Sequence, residues 1–224
     1  MTSRSEQTGS AAEECRPVVA AFDVDGTLTV RDCVRPFLVT VGGWRGIVWS
    51  LVRRPTRTVV AAVRRDRDAL KELVVGGVLS GRRVEQVEST GARFAERVAA
   101  SWLRADTVGR LRWHQERGHR TVLVSASLSP YLVPLGRHLG VDEVLCAEPR
   151  RVGDVFADGL AGANCRRQEK VRRLEAWLAS MDVRDVTLWA YGDSAGDREL
   201  LARADHGVLV RRSTIAAIPV GYES

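Results

Sequence analysis

Two carboxylates stand two residues apart in Asp23-Val24-Asp25-Gly26-Thr27, directly after the apolar run at 17–22. Both can face one site only if the chain leaves regular β geometry there. Gly26 permits such a turn, since it has no Cβ to clash in unusual backbone regions. One carboxylate can then attack phosphorus or hold a metal, while the other moves a proton to a leaving oxygen. The same residues also suit an ordinary acidic turn or a helix N-cap. A second pair, Asp193 and Asp197, lies four residues apart in Gly192-Asp193-Ser194-Ala195-Gly196-Asp197, after the run at 186–191. Carboxylate oxygens at a strand-end cleft are the donors Mg²⁺ prefers, with water completing its octahedron. A plain strand-to-helix loop, with Asp197 favoured by the helix dipole, is the simpler alternative.

Ser125-Ala126-Ser127 follows the apolar run at 121–124. A hydroxyl and free backbone N–H groups at a helix start form a site for phosphate oxygens, although serines there also serve simply as caps. Lys170 lies in the first turn of an amphipathic segment at 168–178, where its charge can offset a phosphoryl group and the carboxylates around it. A solvated helix position is the competing reading. Only two of the 34 basic residues are lysines, Lys71 and Lys170. In so arginine-rich a chain, a lysine hints that a compact point charge is needed at that place; a leftover surface position is the alternative. The four histidines, His114, His119, His138 and His206, lie on no motif and read as surface or helix-end residues.

These groups need a scaffold. The runs at 17–22, 121–124, 143–146 and 186–191, with 206–210 as one more, read as short buried strands separated by helical patterns. That alternation predicts a doubly wound parallel α/β sheet of the Rossmann type, whose ligands bind at the carboxyl ends of the strands. Between 34 and 109 the pattern is helical alone, with apolar residues at three- and four-residue spacing over 56–79 and 82–103, punctuated by Gly76-Gly77 and Ser80-Gly81. The expected organisation is a disordered tail at 1–16, an α/β core at 17–33 and 110–224, and an inserted helical cap at 34–109. A small hairpin is expected at 152–160, turning at Ala157-Asp158-Gly159.

The charge is localised. Residues 44–120 hold 17 basic and 8 acidic side chains, a net of +9, whereas the remainder nets −3. Such a field favours anionic partners. With 45% apolar and 28% charged residues, wholesale disorder is excluded. No apolar run reaches the roughly 18 residues of a membrane span. The polar N-terminus does not read as a secretory signal. Four widely spaced cysteines, Cys15, Cys33, Cys146 and Cys165, form no CxxC pair and suit a reduced, cytoplasmic setting.

Taken together and in this order, DxDGT, a strand-end serine, a late lysine and GDSxGD resemble the haloacid dehalogenase superfamily of aspartate-nucleophile phosphatases. The nearest likeness is to subfamily IB, the branch of phosphoserine phosphatase and phosphatidylglycerophosphatase C. The resemblance runs from Val18 onward, and the helical insertion falls where that branch carries its C1-type cap. It implies Asp23 as nucleophile and Mg²⁺ ligand, and Asp25 as general acid and base whose backbone carbonyl reaches the metal. It implies Ser125, Ala126 and Thr27 around the phosphate, Lys170 stabilising its charge, Asp193 as direct ligand and Asp197 as support through water. Gly26 and Gly192 would shape the loops.

Departures from phosphoserine phosphatases bear on the substrate. Their last motif reads GDGAND where this chain has Gly196 in place of Asn, their Ser-Gly-Gly stands where Ser125-Ala126-Ser127 stands, and the glutamate that holds the substrate amine has Asp32 as its nearest counterpart. The expected activity is Mg²⁺-dependent hydrolysis of a small phosphorylated metabolite. Hydrolysis of the lipid headgroup phosphatidylglycerophosphate and phosphotransfer through the same nucleophile are the alternatives. In the cap, Trp44, Ile47, Val48, Trp49 and Leu51 sit beside Arg45, Arg53, Arg54 and Arg57. Such a segment either meets an anionic membrane surface transiently or packs on the core with its arginines in water, and packing is the preferred reading. Non-enzymatic nucleic-acid binding by the basic cap would leave the aligned carboxylates, serine and lysine without a role, and no nucleic-acid partner is expected.

Overall fold

The computed structural model describes residues 16–182 and 185–210. The expected tail, apart from Arg16, and residues 211–224 of the expected core lie outside them. The chain runs β1 (Val18–Phe22), α1 (Val34–Val52), α2 (Pro55–Val63), α3 (Arg67–Leu79), α4 (Val84–Ser101) and α5 (Ala105–Glu116). It continues through β2 (Arg120–Leu128), α6 (Ser129–Leu139), β3 (Glu143–Ala147), β4 (Pro149–Val152), β5 (Val155–Leu160), α7 (Gln168–Ser180), β6 (Thr187–Gly192), α8 (Arg198–Arg203) and β7 (His206–Leu209).

Five strands form one parallel sheet in the order β3-β2-β1-β6-β7. Chain order reverses between β1 and β6, the switch point at which doubly wound sheets open a crevice at their carboxyl ends. The loops carrying Asp23 and Asp193 leave β1 and β6 at that crevice. Strand alternation sorts the core into two faces. Val19, Ala21, Val122, Val124, Leu188 and Ala190 pack with Val171, Leu174 and Leu178 of α7. Ala20, Phe22, Leu123, Trp189 and Tyr191 face the other way and belong to one cluster with Phe37 of α1, Phe94 of α4 and Tyr131 of α6. The helices inserted after β1 therefore share a hydrophobic core with the sheet, and the rings of Phe37, Phe94 and Tyr131 meet with centroids 4.8–5.5 Å apart.

Four expectations differ from the structure in detail. The helix expected over 56–79 is two, because Arg65 has a left-handed φ of 52° and Asp66 caps α3 by accepting from the N–H groups of Asp68 and Ala69. The hairpin turns between β4 and β5 at Gly153-Asp154, not at Ala157-Asp158-Gly159. Those three residues lie in β5, packed against α3, where a Cβ on Gly76 would collide with Asp158. The expected strand at 121–124 continues to Leu128, which pairs with Ala147 after a register shift. The helix α5 runs unbroken through residues 109 and 110, where the cap was expected to end.

Candidate active site

At the end of β1 the Asp23 N–H still donates to the Tyr191 carbonyl of β6 at 2.9 Å, so the carboxylate is aimed by the last rung of the ladder. The chain then curls: the Val24 carbonyl accepts from the N–H groups of Thr27, Leu28 and Thr29 at 2.9–3.2 Å. Gly26 takes a φ of +88°, and a Cβ there would collide with the Asp193 carboxylate. Glycine is needed twice over, for the backbone and for the approach of the opposing loop.

Lys170, in the first turn of α7, is buried, and its Nζ donates to Asp23 Oδ1 at 2.6 Å and to Asp197 Oδ1 at 2.5 Å. It is not the solvated lysine of the simpler reading. Asp197 is also held from its other oxygen, which accepts from the Ser194 N–H at 3.0 Å and the Ser194 hydroxyl at 2.7 Å. Ligand oxygens of Asp23, Asp193 and Asp197 lie within 4.8 Å of one another. Burial opposes the charge on Lys170, but Asp23 and Asp197 beside it hold its pKa well above the usual lysine value. Burial raises the Asp23 carboxyl, with Lys170 pulling it back down. Burial and the charge of Asp197 raise that of Asp193. Three carboxylates crowd one ammonium, leaving an excess of negative charge on hard oxygen donors, and this donor set fits Mg²⁺.

The Asp25 carboxylate turns the other way. Its Oδ1 accepts from the Cys33 N–H at 2.8 Å, at the start of α1, and its Oδ2 from the Ser127 hydroxyl at 2.6 Å. The Tyr131 hydroxyl in turn donates to Ser127 at 2.8 Å. Burial pushes the Asp25 carboxyl up to about 6, helped by the charge of Asp32 and opposed by those hydrogen bonds. That value lets it carry a proton near neutral pH and give it up. Its side chain stands outside the three-carboxylate cluster.

Ser125 is buried and its Oγ accepts from the Ser127 N–H at 3.2 Å. It lies within the irregular end of β2, not at a helix start. The helix α6 begins at Ser129, with Pro130 in its first turn, so Ser125 and Ala126 stand at the end of the strand, ahead of the helix start where they were expected. Thr27 is fully buried, with its hydroxyl 3.5 Å from Asp193 Oδ1. At the mouth, Asp25, Gly26, Val30, Arg31, Asp32, Arg104 and Asp193 border a cleft of about 1030 Å³.

Several residues escaped sequence reasoning. Ser127 and Tyr131 orient Asp25 across the fold, a contact no local pattern announces. Lys71 of α3 is no surface lysine. Its ammonium meets the Ala126 carbonyl and donates to Asn164 Oδ1 at 2.7 Å, while burial lowers its pKa to about 8 against the pull of Asp25 and Asp68. The scarcity of lysine was the available signal. His114 is likewise not a surface residue: it is buried under the sheet with Nε2 2.9 Å from the Tyr191 hydroxyl.

The sequence model of the haloacid dehalogenase-like hydrolases matches residues 20–202. Protein CicA of Caulobacter vibrioides is 40% identical over 206 residues, covering 88% of this chain and 87% of the relative. Among solved structures, a Bordetella pertussis Tohama I protein with unknown function is similar with a TM-score of 0.63 at 22% identity, covering 84% of this chain and 86% of that one. A substrate-bound phosphoserine phosphatase is similar with a TM-score of 0.58 at 15% identity, covering 85% and 84%. At those identities the structural likenesses speak for the fold.

Proposed function

The chain belongs to the haloacid dehalogenase-like hydrolase family, and from that membership we propose that it is a Mg²⁺-dependent phosphatase that hydrolyses a small phosphorylated metabolite through an aspartyl-phosphate on Asp23. The observation that carries the reading is Lys170 bridging Asp23 and Asp197 with the Asp193 carboxylate beside them. Asp23, Asp193 and Asp197 are the side chains that would hold the cation. Bound there, it supplies the positive charge that offsets repulsion between a carboxylate and a phosphate dianion. Lys170 fixes the Asp23 carboxylate in orientation and adds a second compensating charge.

Asp23 attacks phosphorus with one oxygen, the ester P–O bond breaks, and the departing oxygen takes the proton from Asp25. Asp25, now a carboxylate steadied by Ser127 and Cys33, removes a proton from the water that attacks the aspartyl-phosphate. The P–O bond to Asp23 breaks, phosphate leaves, and both residues return to their starting states. Asp32 borders the cleft and would meet a cationic group on the substrate, such as a phosphoserine-like amine.

Phosphate release from a panel of phosphoserine, histidinol phosphate, sugar and glycerol phosphates tests the reading, with and without Mg²⁺, for wild type and Asp23→Asn. Release that depends on both Mg²⁺ and Asp23 is expected. Near-normal turnover by a folded Asp23→Asn protein would refute the mechanism, and transfer of the phosphoryl group to an added alcohol with no release of inorganic phosphate in its absence would replace hydrolysis with phosphotransfer.

A further inference from the structure

The second half of α1 and the whole of α2 are held to the molecule by narrow stripes. On α1, Ile47 packs against the core and Ser50 is buried against Gly77 of α3. On α2, Ala61 is the buried residue. Apart from half-buried residues such as Leu51, Arg54 and Thr58, the rest of this helical hairpin is largely exposed, and much of it is large and apolar. Trp44, Val48 and Val52, spaced by four on α1, are 54–61% exposed, Trp49 beside them is 59% exposed, and Val63 of α2 is 78% exposed. Isolated exposed apolar residues are ordinary, but this many on two adjoining helices form a patch that marks an interaction surface.

Charge says what the patch fits. From Trp44 to Arg65 the chain has six arginines and no acidic residue. Arg54 is engaged by Asp158 at 2.7 Å, and the other five are exposed. Arg53 lies over the Trp49 ring at 5.8 Å, so aromatic and cationic groups occupy one face. A second copy of this chain docking the same face symmetrically would set these arginines against themselves. A nucleic acid would satisfy the arginines and leave the valines in water. An anionic bilayer satisfies both, with tryptophan and valine in the headgroup boundary and arginines reaching lipid phosphates. Among the described residues no helix is long and apolar enough to cross a membrane, so the fitting mode lies along the surface.

We propose that the α1–α2 hairpin is a docking face for the surface of an anionic lipid bilayer. The inference does not depend on the phosphatase reading, because lipid binding is measured without turnover.

The test is co-sedimentation of the full chain with vesicles of phosphatidylcholine alone and of phosphatidylcholine and phosphatidylglycerol in equal parts, together with tryptophan fluorescence. Binding to the anionic vesicles is expected, with a blue shift from Trp44 and Trp49 and weakening at high salt. Each of Arg45→Gln, Arg53→Gln and Arg57→Gln should weaken it about fivefold. Val48→Asp/Val52→Asp should abolish it while circular dichroism and melting stay near wild type, since both side chains already stand in water. Failure to bind anionic vesicles overturns the proposal, as does equal binding to neutral ones. A dimer that Val48→Asp disrupts would assign the face to a second copy. Salt-sensitive duplex binding that survives the valine variants would assign it to nucleic acid.

Discussion

Replacing Gly26 with alanine isolates the geometry on which the site rests. Two costs arise. The φ of +88° is one that an L-residue occupies at about 1–2 kcal/mol. The added Cβ would also stand 2.8 Å from Asp193 Cγ, with one carboxylate oxygen closer still, where ordinary contact begins near 3.4 Å. Relief requires Asp193 to retreat by about 1 Å, and misplacement on that scale costs roughly 100-fold in rate. Gly140→Ala is the control. It has a left-handed backbone (φ 69°, ψ 28°) at the end of α6, its new Cβ would meet nothing closer than Gln115 Nε2 at 3.6 Å, and it lies at the opposite edge of the sheet. For a chain of this size each variant should melt lower by about 2–8 °C. Only Gly26→Ala should also lose about 100-fold in kcat for phosphate release at saturating Mg²⁺. If Gly26→Ala stays within a few-fold of wild type, or Gly140→Ala loses as much, the close approach of the two loops is not what positions Asp193.

Two further outcomes follow from particular side chains. On the proposed mechanism Asp25→Asn removes the proton donor, so hydrolysis of an alkyl phosphate should fall by about 10²–10⁴-fold, whereas an aryl phosphate with a good leaving group should fall far less; equal losses would refute Asp25 as the acid. His114 is buried, and burial, with His119, Arg110 and Arg117 nearby, lowers its pKa to about 3. Unfolded, it binds a proton near pH 6.5, so between those values the unfolded chain holds more protons and stability falls as pH drops, by up to ~1.4 kcal/mol per unit. Melting followed from pH 7 to pH 4 should show a shallower decline for His114→Gln than for wild type, and parallel curves would show that His114 is not buried neutral.

The family and the parallel α/β fold were legible because their determinants are local. A buried strand that ends in Asp23-Val24-Asp25-Gly26-Thr27, and another that ends in Gly192-Asp193, announce themselves by apolar runs meeting acids and glycine within a few residues. The alternation of strands and helices specified a parallel sheet, and a parallel sheet directs such loops to one edge. What depended on neighbours far along the chain was decided only by tertiary structure. The hairpin turned at Gly153-Asp154 because α3 packs on 157–159, and Gly159 serves close approach to Glu72 rather than a turn. His114 went inside, where its Nε2 meets the buried Tyr191 hydroxyl of β6, a contact 77 residues away in sequence. Lys71, marked in the sequence only by the scarcity of lysine, reached Ala126 and Asn164 once α3 was set beside the end of β2 and the loop after β5. Ser127 found Asp25 across 102 residues. Periodicity and turn chemistry act over a few residues and so can be read along the chain. The partner of a buried polar group is chosen by whichever distant donor or acceptor the fold brings within about 3 Å, and only the assembled fold makes that choice.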